Sequence, residues 1–375
     1  MAKVCVAGSG KIGTLIASLL ANERRYSVDL VDADLKSLTP WKDSKINTDC
    51  FDITDQGQFA KYVKKSSPTA VVACLPYFCD LKVAEYAKNL GLHYFDLTED
   101  VSVGEAVRAL AQNSRQAFAP KCGLAPGLIN IAGNDLIQEF DEVESVKLRV
   151  GALPENINNP LQYALTWSTD GLINEYGNTC FGLVGKQKAA ASPLEDLEIV
   201  TIDGITYEAF NTSGGVGNLV EMYEGKIDIL NYKSLRYPGH RDKIDFLMRG
   251  LKLNRDRETL KRILENAIPS TTQDVVIIYA SVVGKKQGRL VESNFVKKVY
   301  PMKLYGKTWS AIQVSTAVTA AAVVDIIVSQ PEKYHGYINQ EQFSLKDVAN
   351  NRIGNLLKLR GNIMNGHHEP VAEMA

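Results

Sequence analysis

Gly8-Ser9-Gly10-Lys11-Ile12-Gly13 has the residue types and spacing of a turn that holds a phosphate. It follows the apolar run Lys3 to Ala7 and leads into Ile12 to Asn22, where Ile12, Leu15, Ile16, Leu19 and Leu20 recur on one helical face. Only that strand-to-helix setting gives a G-x-G-x-x-G match physical content. Gly8 permits the tight turn, Gly10 lets a diphosphate approach the backbone, and Gly13 lets helix and strand pack closely. The free N–H groups that open the helix then face the anion. Alone, the hexapeptide also fits a ligand-free turn. Asp32 lies 19 residues beyond Gly13, where a carboxylate accepts from a ribose 2′-OH and repels a 2′-phosphate. The expected cofactor is therefore NAD rather than NADP, with Lys36 as the counterargument. Asp34 is the alternative for that role, or a cap for a short helix. Asp52 and its neighbour Ile53 are placed against the adenine edge, with a solvated strand end as the competing reading.

Further candidates fall on the same edge by topology. In a doubly wound sheet the ligand crevice lies at the carboxyl ends of the strands. Leu75, Pro76 and Tyr77 end one apolar run, Asp96 and Glu99 end the next, and Lys121 and Cys122 follow the last. Tyr77 is equally readable as a half-buried aromatic, Lys121 as a surface residue, and Cys122 as packing.

The elements that must position these residues are legible as a rhythm. Lys3 to Ala7, Ser27 to Asp32, Thr48 to Phe51, Ala70 to Leu75, His93 to Leu97 and Gln116 to Ala119 read as strands. Helical patterns over Ile12 to Asn22, Gln56 to Lys64, Asp80 to Asn89 and Glu105 to Asn113 separate them. That alternation predicts an α/β fold with a Rossmann doubly wound parallel sheet over residues 1–125. After Pro126 the texture changes to alternating strands such as Ser145 to Val150, Glu198 to Thr201 and Val275 to Val283. These predict an α+β mixed-sheet domain over 126–308. Residues 309–375 read as a long apolar helix packing back on the first domain, plus a frayed tail containing Gly366, His367, His368 and Pro370.

The chain has 375 residues, enough for two cores, and 42 basic against 43 acidic side chains. That balance disfavours nucleic acid. Ala311 to Val328 is interrupted by Gln313, Ser315, Thr316, Thr319 and Asp325, so it reads as a core helix and no membrane partner is expected. The opening MAKVCVAGSG has no leader pattern, and six scattered cysteines without a CxxC pair read as reduced thiols. A cytoplasmic location is expected, and no metal.

The blocks Cys122 to Gly133, Val150 to Asn178, Tyr207 to Leu219 and Tyr232 to His240 resemble the saccharopine dehydrogenase superfamily, within it the lysine 6-dehydrogenase branch. The resemblance implies a second domain that binds substrate and forms a homodimer. It also implies NAD(P)-dependent oxidation of a C–N bond in a lysine-type amino acid. Saccharopine or a carboxylated polyamine is the alternative substrate, and a non-catalytic NAD-binding sensor is the alternative of another class. Saccharopine carries three carboxylates and lysine one; of Arg149, Arg236, His240, Arg241 and Lys243, Arg236 with His240 is the pair expected to hold a single carboxylate, while Arg241 and Lys243 also read as the first turn of a solvated helix. Oxidising the amine requires its neutral form, and His240 has the most suitable intrinsic pKa for taking the proton. Its competing reading is a structural histidine in a Pro-Gly-His turn. Lys121 and Tyr77 are the other catalytic candidates. Glu208 and Asn211 are candidates for an amine contact, with strand-face packing as their alternative.

Overall fold

The computed structural model describes residues 1–41, 44–359 and 363–365. The expected frayed tail falls outside these residues. The first unit runs β1 (Ala2–Ala7), α1 (Gly13–Ala21), β2 (Tyr26–Asp32), α2 (Leu35–Leu38), β3 (Asn47–Cys50), α3 (Gln56–Ser66), β4 (Ala70–Ala73), α4 (Tyr77–Leu90), β5 (His93–Asp96), α5 (Val101–Leu110) and β6 (Ala117–Ala119). Their strands lie parallel in the order β6-β5-β4-β1-β2-β3, which is the doubly wound arrangement. β1, β4, β5 and β6 are covered on both faces, which is why they read as nearly continuous apolar runs.

Two helices begin earlier than their apolar period suggests. Tyr77 opens α4 because Pro76 is set at φ −57° and ψ 137° just outside it, and Val101 opens α5 because the Asp100 side chain accepts the Val103 N–H.

The second unit runs α6 (Leu128–Ile137), β7 (Glu142–Pro154), α7 (Thr169–Gly177), β8 (Cys180–Val184), β9 (Gln187–Ala191), β10 (Glu198–Ile202), β11 (Ile205–Asn211), α8 (Leu219–Tyr223), β12 (Ile229–Arg236), α9 (His240–Asp245), α10 (Arg257–Ala267), β13 (Asp274–Lys286) and β14 (Arg289–Val299). It is a mixed sheet in the order β10-β11-β12-β7-β13-β14, with β7 and β12 parallel and the other neighbours antiparallel. β15 (Met302–Leu304) and β16 (Lys307–Trp309) form a small hairpin leading to α11 (Ala311–Val328).

α11 is long and apolar enough to cross a bilayer, and here most of it is buried. It packs on α1 and on the start of β2, where Tyr26 Oη donates to Asp325 at 2.6 Å, and on β13, where Asp274 accepts the Ala311 and Ile312 N–H groups. β17 (Gly336–Tyr337) then pairs parallel with β6 as a seventh strand of the first sheet. α12 (Leu345–Asn350) and β18 (Ile363–Asn365), the latter on β14, close the described chain.

Candidate active site

The phosphate-type turn sits where the strand order reverses, between β1 and β4. A Cβ on Gly8, whose φ is +100°, would lie 2.4 Å from the Cys74 carbonyl oxygen, and one on Gly13 would lie 2.0 Å from that of Gly8. Packing fixes those two glycines. Gly10 differs, since a Cβ there meets nothing within 4 Å. The space above Gly10 is free for a group approaching the backbone, which is the fit a dinucleotide diphosphate needs. Ser9 N–H and Oγ–H both donate to Asp32 Oδ2 at 2.7 Å, and Asp34 N–H donates to Oδ1 at 2.9 Å. Burial raises the Asp32 pKa, but these donors outweigh it and leave the carboxyl below its ordinary range. An ionised acid therefore stands at the ribose end of the turn. Asp34 caps α2 through the Lys36 N–H.

A cavity of about 370 Å³ runs from Gly10, Lys11 and Ile12 past Leu75, Pro76 and Tyr77 to Tyr232, Ser234 and Arg236 of the second sheet. Lys11 spans it, with Nζ donating to the Leu165 carbonyl at 2.9 Å and its own carbonyl accepting from Gln313 at the start of α11. Arg236 is fully buried on the far wall. Its Nε donates to Tyr176 Oη at 2.8 Å, Nη1 to the Leu235 carbonyl at 2.8 Å, and Nη2 lies 3.5 Å from Glu175 Oε2. The guanidinium carbon stands 5.0 Å from the centre of the Tyr163 ring and 5.6 Å from that of Tyr176. Burial works against its charge, but the two tyrosines and Glu175 more than compensate, so the guanidinium stays ionised. Glu175 lines the cavity too, and burial pushes it up to about 8 despite the pull of Arg236. Guanidinium hydrogens remain for a substrate carboxylate.

Two family models match the chain in tandem: the saccharopine dehydrogenase NADP binding domain over residues 4–119 and the saccharopine dehydrogenase C-terminal domain over 123–361. The chain belongs to the saccharopine dehydrogenase family. Among solved structures it is similar to apo histidine-tagged saccharopine dehydrogenase (L-Glu forming) from Saccharomyces cerevisiae, at TM-score 0.76 and 15% identity, covering 97% of this chain and 98% of that one. It also matches scyllo-inositol dehydrogenase from Lactobacillus casei with bound NAD(H) and scyllo-inositol, at TM-score 0.47 and 11% identity, covering 97% and 99%. Membership of the saccharopine dehydrogenase family makes the chain an oxidoreductase that uses a nicotinamide dinucleotide.

On this saccharopine dehydrogenase frame the residues singled out from sequence divide sharply. Gly10, Lys11, Ile12, Leu75, Pro76, Tyr77 and Arg236 line one cavity. His240 does not. Its Nδ1–H donates to the Leu161 carbonyl at 2.7 Å, and its Nε2, 3.0 Å from Tyr176 Oη, accepts that hydroxyl's proton, because Oη already accepts from Arg236. Burial, and then the Arg236 charge, push His240 down to about 3, so it is a neutral positioning residue behind Arg236 and not the base. Lys121 is buried away from the cavity, its Nζ 3.3 Å from Asn218 Oδ1 and its own N–H bonded to Asp96. Burial lowers its pKa, and Glu341 opposes that.

Four expected substrate contacts do not line the cavity. The Cys122 thiol donates to the Ala119 carbonyl and accepts from Gln340, and burial pushes its pKa well up. Glu208 accepts the Gly239 and Arg241 N–H groups and so holds the start of α9. Asn211 ties down the loop at Ser192 and Asp196. Asp96 is fully buried just behind the cavity, with Oδ1 accepting the Thr98 and Lys121 N–H groups. On the cofactor side, Asp52 turns back on Thr54 and Ile53 enters the core beside Phe59, so neither lines the cavity.

Sequence reasoning missed Asp80, Glu175 and the Tyr163–Tyr176 pair around Arg236. The available signal was α7 itself: Thr169, Asn174 and Glu175 are buried with its apolar residues, so no face of it is left for solvent.

Proposed function

We propose that this chain is an NAD-dependent dehydrogenase that oxidises the C–N bond of a lysine-type amino acid. The observation that carries the reading is the single cavity joining the free space over Gly10 to the one buried guanidinium of its far wall, Arg236. The N–H groups after Gly10 would hold the diphosphate, and Asp32 the adenosine ribose while repelling a 2′-phosphate. Leu75, Pro76 and Tyr77 would flank the nicotinamide half, which when bound supplies the hydride acceptor.

Arg236, stiffened by Tyr163, Tyr176 and His240, would fix the substrate carboxylate and thereby aim the amine-bearing carbon at the ring. The ammonium first gives up a proton to an ionised carboxylate of the cavity wall, where Asp80, Glu99 and Glu175 stand. The carbon then loses a hydride, leaving an iminium that water hydrolyses to a carbonyl and ammonia, or to a carbonyl and an amine if the nitrogen is secondary.

Absorbance at the reduced-nicotinamide band tests this, using lysine, ornithine and saccharopine with NAD and with NADP. Turnover of lysine with NAD is the expected result. Turnover confined to saccharopine with NADP would replace lysine by a tricarboxylate substrate, and dinucleotide binding with no turnover would make the chain a cofactor sensor.

A further inference from the structure

Two acids of the cavity wall, and a third behind them, each keep one buried oxygen without a hydrogen-bond partner. Asp80, in the first turn of α4, lines the cavity at 2% exposure, and its Oδ1 is buried without a hydrogen-bond partner. Glu99, just beyond β5, lines it with Oε1 likewise outside hydrogen-bond reach of any donor, although the Asn174 side chain faces that carboxyl and opposes the rise of its pKa. Behind them Asp96 spends one oxygen on backbone N–H groups, while Oδ2 has none. The dipole of α4 favours a negative charge at Asp80 but supplies no donor to the orphaned oxygen. Leaving buried carboxylate oxygens unpaired is costly, and a wall that only filled space would be served better by amide or apolar side chains.

The cations nearby are committed elsewhere. Lys11 reaches the Leu165 carbonyl, Lys121 reaches Asn218, and Arg236 is engaged by Tyr176, Leu235 and Glu175. Among the described residues no three His, Cys, Asp or Glu side chains converge closely enough to hold a metal ion. The partner these oxygens fit is an organic cation with several N–H donors.

We propose that Asp80 and Glu99, backed by Asp96, form an ammonium subsite that admits substrates with a cationic side-chain nitrogen and rejects those with a carboxylate there. This deepens the dehydrogenase reading and rests on it for the fate of the bound molecule. An alkyl ammonium presents three N–H groups to the orphaned oxygens, whereas saccharopine would bring additional carboxylates to an already acidic wall. Burial and mutual repulsion hold the empty acids partly protonated: Asp80 is driven well up, and Glu99 rises to about 7. An arriving ammonium favours their ionised forms, so binding releases protons.

Calorimetry on the full chain with NADH, where no turnover occurs, compares lysine with norleucine, which lacks only the terminal amine, and with 2-aminoadipate, which carries a carboxylate there. Lysine should bind at least about tenfold more tightly than norleucine, with 2-aminoadipate weaker than both, and buffers of different ionisation enthalpy should show net proton release. Asp80→Asn and Glu99→Gln should each remove most of the preference for lysine over norleucine while leaving NADH affinity, read by fluorescence, within about twofold. Equal binding of lysine and norleucine, tighter binding of 2-aminoadipate, or an unchanged lysine preference in both folded variants overturns the subsite. Failure of the dehydrogenase reading looks different: lysine would bind with the stated selectivity but NAD would yield no reduced nicotinamide. That outcome supports the subsite and removes the reaction.

Discussion

Gly10 and Gly13 are the same residue type three positions apart in one turn, yet have opposite expected sensitivities. Gly10→Ala adds a methyl group to open space, so the melting temperature should stay within about 1 °C while NADH binding weakens by at least about tenfold, as fluorescence titration will read. Gly13→Ala drives a methyl group into the Gly8 carbonyl and should lower the melting temperature itself. Protonation states divide similarly. Glu175 rises from 4.5 to about 8 on folding, so the native state binds more protons in that window and its contribution to stability is lost as pH rises. His240 falls from 6.5 to about 3, so there the unfolded state binds more protons and stability grows with pH up to 6.5. The two oppose each other between pH 4.5 and 6.5, and above 6.5 Glu175 acts in the same direction as Glu99, which rises to about 7. Melting temperature should fall from pH 6.5 to 8, and Glu175→Gln should make that fall smaller. The His240 ring resonances should not titrate between pH 5 and 8.

At the scale of elements, Glu208 shows how far a residue can act through a helix end. Its carboxylate holds the Gly239 and Arg241 N–H groups, which seats α9, whose first residue supports Tyr176 and through it Arg236. Glu208→Ala should cost about 1–2 kcal/mol in denaturant unfolding and raise KM for the amino acid more than it lowers kcat. Elements were the most legible level of the sequence: the strand and helix rhythm of the first unit and the alternating patterns of the second follow from local periodicity. So did the phosphate-type turn, because its glycines are dictated by neighbours a few residues away. The opposite wall was not legible. Whether Arg236 faces a cavity while His240, four residues on, is sealed behind it depends on β12 meeting α7, a contact between distant segments. Asp80 read as an ordinary helix start for the same reason, since its lack of a partner is a property of the assembled cleft.

For the whole molecule, the join between units rests on a buried polar node. Asn218 receives Arg108 and Lys121 from the first unit on its Oδ1, and its N–H and Nδ2 donate to Glu341 from the carboxyl-terminal segment. Glu341 also offsets the buried charge of Lys121. Glu341→Ala removes the largest of the charges that offset that ammonium, ahead of Glu221 and Glu105, and should cost about 3 kcal/mol, measured as a shift in the urea midpoint at unchanged slope.

The pairing of Gly336 and Tyr337 with β6 ties the opening domain to the closing stretch of the polypeptide. More than two hundred residues separate β17 from β6, so a ribosome must deliver that whole stretch before the sheet acquires its outer border, and until then the nascent first unit has one flank unzipped. Excising residues 1–125 as a cofactor-binding fragment would perpetuate that exposed flank, and self-association of the fragment is the outcome to look for by light scattering.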